Sequence, residues 1–341
     1  EALLDMPRIW SNLSVAIPRH IVKSVPVLKR RIELAKGTPL NVTLSAQCEG
    51  RKLGVVKNLH SLVFATGTHR WRSLTILCGQ HDELKDWIPS IFHGEFSSLE
   101  ELDIQYTYTP EDDIYEPIYL SIESTANRLL SVSLVESQIL PEFLERKRDF
   151  YSGLVTFKAG LHLALGLRSH NLLNLELRGD QLIGDVSKLK FPPTLSLPSL
   201  SLDLFQQCKF DNVTHLAVHR LEAEGSWAIW TVNLPSLLSL TCRIAKLSAL
   251  PSIQAPHLKY FSMGIWTPSL DHWRRPDNQE DRDITRVFQA RTFSIQIRPT
   301  TLRLESPIPL QSLCVILQRW PQIEHLSFHG GYDCTSLKEL E

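Results

Sequence analysis

The sequence predicts an α/β fold of stacked repeats, each a short strand followed by a return, and three observations predict it. Leucine accounts for 55 of the 341 residues, well above its ordinary share. The pattern apolar-x-x-apolar-x-apolar recurs along the chain at intervals of roughly 20–30 residues, a period typical of repeat arrays. Between copies, helical periodicity near the two ends gives way to proline-punctuated sequence in the middle.

The copies begin with Trp71-x-x-Leu74-x-Ile76, Leu99-x-x-Leu102-x-Ile104 and Leu129-x-x-Val132-x-Leu134. Leu154-x-x-Phe157-x-Ala159, Leu172-x-x-Leu175-x-Leu177 and Leu197-x-x-Leu200-x-Leu202 follow. Val213-x-x-Leu216-x-Val218, Leu237-x-x-Leu240-x-Cys242, Leu258-x-x-Phe261-x-Met263 and Ile323-x-x-Leu326-x-Phe328 complete the series, with a degenerate copy at Phe293-x-Ile295-x-Ile297. The last three positions alternate, so their apolar side chains share one face of a short strand. The first packs beneath the turn that enters it. One such unit cannot bury its apolar face alone, so neighbours stack into a continuous core and a parallel sheet. Each buried leucine contributes about 1.5–3 kcal/mol, and tens of them offset the ordering entropy of the chain.

The returns are of two kinds. Leu84, Trp87, Ile88, Ile91 and Phe92 form a helical stripe, as do Leu310, Leu313, Cys314 and Leu317. From Gly179 to Pro256, Pro192, Pro193, Pro198, Pro235, Pro251 and Pro256 interrupt helical pattern, so extended or single-turn returns are expected there. The predicted architecture is an irregular leucine-rich-repeat solenoid with a parallel sheet on its concave face and mixed helical and extended returns. Residues 46–341 form the solenoid, and residues 1–45, which lack the repeat, form an N-terminal cap.

That first segment carries a resemblance. Pro7-Arg8-Ile9-Trp10-Ser11, within the stretch Leu3 to Val15, resembles the tail of the F-box domain in fungal F-box proteins, where a short helix runs into a Pro-Arg-Leu-Trp-Ser segment; Pro7 and Trp10 match that motif. Leu34 to Leu44 is similar to a stretch that follows in the same family, and leucine-rich repeats come next. The resemblance covers the whole chain in order. It implies a non-enzymatic protein–protein interaction module, the substrate-recognition part of an F-box adaptor of a cullin–RING (SCF-type) ubiquitin ligase. In that family the upstream F-box helices carry most of the surface that docks the ligase's small adaptor subunit. They are not among these residues, so that partner is implied only where such helices precede Glu1. The alternative is a leucine-rich-repeat interaction scaffold with no ubiquitin-ligase role. Independently of either, Ile9, Trp10 and Leu13 suit the cap that a terminal repeat needs.

Charge and cysteine usage narrow the partners. Thirty-six Lys plus Arg nearly cancel 37 Asp plus Glu, for a net charge of -1, which gives no broad footprint for nucleic acid or an anionic membrane. No stretch approaches the ~20 apolar residues of a membrane-spanning helix. The expected partner is a protein substrate, with neither nucleic acid nor membrane. Cys48, Cys78, Cys208, Cys242, Cys314 and Cys334 show no zinc or disulfide spacing and are expected to be reduced. No basic-then-apolar segment opens the sequence, and the triplets at Asn12, Asn41 and Asn212 are short enough to arise by chance, so a cytoplasmic or nuclear location is expected.

Candidate partner-binding residues come from the strand positions that alternate with the leucines and from two long loops. The central track reads Thr75, Asp103, Ser133, Glu176, Ala217, Thr241, Ser262 and Ser327; the flanking track reads Glu101, Ser131, Asn174, His215, Ser239, Tyr260 and His325. The first loop, residues 105–117, carries Tyr106, Tyr108 and Tyr115 beside Glu111, Asp112 and Asp113; the second, 264–283, carries Trp266, His272, Trp273, Arg274 and Arg275. Tyr, Trp and Arg dominate binding hot spots. The two loops could equally pair with each other, acidic against basic.

No nucleophile elbow, phosphate loop or zinc-protease motif occurs. His215 with His219 and His325 with His329 have metal-like spacing only on a helix. On a strand such pairs stand about 13 Å apart, too far for one ion. Neither an enzyme nor a metal or cofactor site is expected.

Overall fold

The computed structural model describes residues 6–17, 25–46, 67–78, 91–92, 95–106, 118–120, 126, 128–134, 139–141, 153–160, 164, 171–178, 190–201, 205, 207–222, 231–244, 252–265, 296–305 and 310–328. The chain divides into two compact units, Glu1–Leu173 and Asn174–Glu341.

The first unit contains, in order, α1 (Pro7–Trp10), β1 (Asn12–Ile17), α2 (Val25–Leu34), β2 (Leu40–Ala46), β3 (Trp71–Cys78), β4 (Glu101–Tyr106), β5 (Ile118–Leu120), β6 (Ser131–Leu134), β7 (Ile139–Pro141) and β8 (Thr156–Gly160). Its main strands pair in the order β1-β2-β3-β4-β6-β8, all parallel, while β5 and β7 form a separate parallel pair. β1 and all but the last residue of β2 lie within residues 1–45, so the strand array begins inside the segment expected to form the cap. Leu13, Val42, Leu74, Leu102, Val132 and Phe157 stand in one register row, all buried. Trp71 and Phe96 meet edge to face beneath them, with ring centroids 5.8 Å apart.

The second unit contains β9 (Asn174–Arg178), β10 (Thr194–Ser201), β11 (His215–Glu222), β12 (Thr231–Asn233), β13 (Ser239–Ile244), β14 (Ser252–Ala255), β15 (Tyr260–Ile265), β16 (Gln296–Ile297), β17 (Thr301–Leu304), α3 (Leu310–Arg319) and β18 (His325–Phe328). Here β9-β10-β11-β13-β15-β17-β18 pair in parallel, and β12-β14-β16 form a second parallel sheet from the returns. The buried row is Leu175, Leu195, Leu216, Leu240, Phe261 and Leu302. Strands therefore follow the expected parallel plan, with few helices among the described residues, and extended returns appear beside prolines in the second unit. Of the stripe on α3, Leu313 is buried while Cys314 and Leu317 are half-buried, and Ile316 and Trp320 add buried positions outside it.

The repeat carries one more apolar position than the pattern above. The N–H of Leu99, Leu129, Val213, Leu237, Leu258 and Ile323 each donates to the carbonyl three residues earlier, on Phe96, Ala126, Phe210, Leu234, Ala255 and Trp320, and every one of those six residues is buried. A tight turn thus plants an apolar anchor before six of the strands. A second device ties neighbours together. One carbonyl just before a strand accepts two N–H groups from the next repeat: Lys259 and Tyr260 both donate to Leu238, and Thr300 and Thr301 both donate to Lys259. Backbone groups left over at strand entry are satisfied in this way.

Three expectations are corrected. The copy at Leu197, Leu200 and Leu202 is out of phase. Leu195 and Leu197 pair with Leu216 and Val218, so the repeat reads Pro192-x-x-Leu195-x-Leu197. Pro192-x-x-Leu195-x-Leu197 and Leu197-x-x-Leu200-x-Leu202 have the same spacing, so local pattern cannot fix the phase; the neighbouring strands and the Pro193 carbonyl, which accepts from Thr214 and His215, do. The degenerate copy at Phe293 is likewise displaced. Ile297 belongs to the return sheet, and the main strand is Pro299-x-x-Leu302-x-Leu304, with proline holding the first apolar position of the pattern. Gln105 and Tyr106, expected in a loop, end β4 opposite Leu77 and Cys78.

Candidate functional site

Between the buried rows, alternate residues of the same strands make a polar face. In the second unit its flanking row is Asn174, Thr194, His215, Ser239, Tyr260, Thr301 and His325, and its central row is Glu176, Ser196, Ala217, Thr241, Ser262, Arg303 and Ser327. The predicted tracks are thus brought into register, with Thr194, Ser196, Thr301 and Arg303 added where the phase was misread. His215 and His325 are exposed and Tyr260 is half-buried. They lie on the same row but not adjacent to one another, since Ser239 separates His215 from Tyr260 and Thr301 separates Tyr260 from His325. Thr214 Oγ1 and His215 Nδ1 are 2.9 Å apart, and Ser196 Oγ and His219 Nε2 are 3.1 Å apart.

One position further along the strands, the face acquires charge. Arg243 on β13 registers with Gly264 on β15, and the backbone N–H of Glu305, just past β17, donates to the Met263 carbonyl. Arg243 Nε donates to Glu305 Oε2 at 2.9 Å, Ser262 Oγ donates to Oε1 at 3.2 Å, and Arg303 Nε stands 3.9 Å from Oε1. The Glu305 side chain is 15% exposed, against 48% for Arg243 and 45% for Arg303. Burial opposes ionisation of this carboxyl, but the hydrogen bond and charge of Arg243, the Ser262 hydroxyl and the charge of Arg303 together outweigh it and hold Glu305 below the ordinary carboxylate range. Gly264 permits the crossing: a Cβ there would lie 3.1 Å from Glu305 Cβ and 3.4 Å from Arg243 Cγ.

Register also slips beside this cluster. Val218 pairs with Cys242 and Leu221 with Ile244, so two residues, His219 and Arg220, stand opposite the single Arg243. A bulge of this kind re-aims side chains on a sheet. No family model, curated protein or solved structure matches the chain.

Sequence reasoning missed the cluster because its members are 62 residues apart and on no shared motif. The available signal was Arg243 and Glu305 at equivalent outward positions, with Gly264 at the equivalent position of the strand between them. Of the other predicted residues, Pro7 opens α1 and Trp10 closes it, half-buried three residues before Leu13 and so at the first apolar position of the pattern, equivalent to Trp71 and Leu99. Tyr106 closes β4. Tyr108, Tyr115, Trp266, His272, Trp273 and Arg274 lie outside the described residues, as do both loops' remaining aromatic and charged residues.

Two further features belong to the second unit. A cavity of about 640 Å³ opens where the return sheet meets the end of α3, lined by Asn233, Gln254, Arg298, Arg319, Trp320 and Gln322 among others. Cys208 and Cys242 are buried, and their thiols are pushed up to about 12, by burial in both cases and additionally by the charge of Glu305 for Cys242. Among the described residues, no helix is long and apolar enough to cross a membrane.

Proposed function

We propose that this chain is a non-enzymatic protein-recognition module, a leucine-rich-repeat solenoid that reads a target protein with the polar face of its parallel sheet. The observation that carries the reading is the one-sidedness of that sheet. Parallel sheets are ordinarily covered on both faces and read as continuous apolar runs. Here the alternate residues are polar apart from small Ala217 and Gly264, and His215, His219, Arg243, Arg303 and His325 are exposed. A sheet edge-stacked from repeats with one face left polar suits an extended surface for a folded partner.

The F-box resemblance at Pro7-Arg8-Ile9-Trp10-Ser11 extends the proposal: the module is the substrate-reading part of a cullin–RING ligase adaptor. The test is co-purification of the full gene product with the ligase's small adaptor subunit, together with photo-crosslinking from Thr241 or Ser196 to the target. A stoichiometric adaptor complex and crosslinks from those positions support the whole reading. Crosslinks without adaptor capture remove the ligase role and leave an interaction scaffold. Crosslinks only from return-side positions such as Thr231 overturn the face assignment.

A further inference from the structure

We propose that Arg243 and Arg303, held by Glu305, form a clamp for the side-chain carboxylates of an acidic segment on the partner protein. The inference rests on the reading of the polar face as a protein-recognition surface, and it names the chemistry of what that face takes.

Three features of the cluster point to a ligand rather than to a closed structural pair. The first is its layering. The carboxylate lies deepest and both guanidinium groups stand over it, about half exposed. The second is its charge. Two guanidinium groups share one carboxylate, so the cluster keeps a net positive charge. The third is its geometry. Arg243 engages Glu305 through Nε, and the Nε of Arg303 is likewise the atom nearest it. A guanidinium reads a carboxylate with a planar fork of N–H donors, and an Arg already oriented by a fixed partner loses less side-chain freedom on binding. Gly264, Ser262 and Thr241 form a low floor around the two heads, so an incoming side chain meets little steric obstruction. Charge complementarity selects an acidic polypeptide as the occupant.

The test uses the purified chain and fluorescein-labelled hexaglutamate, with hexaserine, a phosphoserine hexapeptide and oligouridylate as comparison probes. Hexaglutamate is expected to bind saturably and to weaken as salt rises, with hexaserine not binding. Arg243→Gln and Arg303→Gln should each weaken binding at least fivefold, and Arg243→Lys, which keeps the charge and loses the fork, should also weaken it. Glu305→Gln is decisive because it makes the surface more positive while releasing both guanidinium groups. The clamp requires weaker binding, whereas attraction by bulk charge requires tighter binding. Unchanged or tighter binding by Glu305→Gln overturns the proposal, as do Arg243→Lys binding equal to the parent and absence of hexaglutamate binding by the folded parent chain. Preference for the phosphoserine peptide or for oligouridylate reassigns the site to phosphate and also overturns it. Adaptor capture without hexaglutamate binding removes this inference alone; hexaglutamate binding without adaptor capture removes only the ligase role.

Discussion

Arg243 and Glu305 are separated by 62 residues, yet Nε and Oε2 stand 2.9 Å apart because the two side chains cross the intervening strand above Gly264. A side chain at Gly264 would occupy the space through which they meet. The pair couples β13 to the end of β17 independently of the backbone ladder.

Gly264→Ala is therefore expected to destabilise the protein by about 1–3 kcal/mol, the ordinary cost of overpacking. The measurement is the denaturant midpoint at unchanged slope. Gly264→Val should cost more, and a neutral Gly264→Val would show that the crossing is not tightly packed.

Stability should depend on pH through Glu305. Its folded carboxyl ionises below the ordinary value of 4.5, so in the interval between the two values the unfolded chain binds more protons and stability rises with pH. The contribution is complete above about pH 5 and disappears as pH falls through the folded value. The stability difference between the parent chain and Glu305→Gln should accordingly shrink on acidification below 4.5. A difference that grows on acidification would contradict the assignment.

Buried thiols should resist labelling. With thiols pushed up to about 12, Cys208 and Cys242 hold only about one thiolate in ten thousand at pH 8. Mass spectrometry after brief treatment with a thiol reagent should find both unmodified in the folded protein and modified in guanidinium. Rapid native labelling of Cys242 would show that the row containing Val218, Met263 and Leu304 opens readily.

The turn anchors should matter as much as the leucines of the pattern. Phe210 is 2% exposed and touches Phe191 and Phe205, with ring centroids 5.4 and 5.1 Å away. Phe210→Ala is expected to cost about 3–5 kcal/mol by the cavity rule. Leu173, 52% exposed at the entry to β9, should tolerate alanine within about 0.5 kcal/mol. Equal effects in thermal or denaturant unfolding would sink the anchor reading.

Much of the strand plan was legible because its cause is local. The spacing of Leu237, Leu240 and Cys242, or of Leu258, Phe261 and Met263, places apolar groups on one side of a strand whatever else the chain does, and the prolines between them exclude helical returns. Leu195 and Leu302 were not legible in the same way. Around Leu195 the repeat spacing occurs twice in succession, at Leu195 and again at Leu200, and before Leu302 a proline replaces the apolar residue that identifies the other copies. The anchors Phe96, Phe210 and Leu234 went unread because only the three-residue turn that follows each shows that the pattern extends upstream.

Composition and periodicity by themselves determined that leucines would line one side of parallel strands and that small polar residues would occupy the other, since both follow from the two-residue repeat of extended backbone. Only the tertiary structure decided the phase of β10, the bulge that sets His219 and Arg220 against Arg243, and the joining of Arg243 to Glu305 over Gly264. Those depend on which strands become neighbours. Contacts between residues remote in sequence leave no periodic trace, because their energy is realised only after the chain between them has folded back.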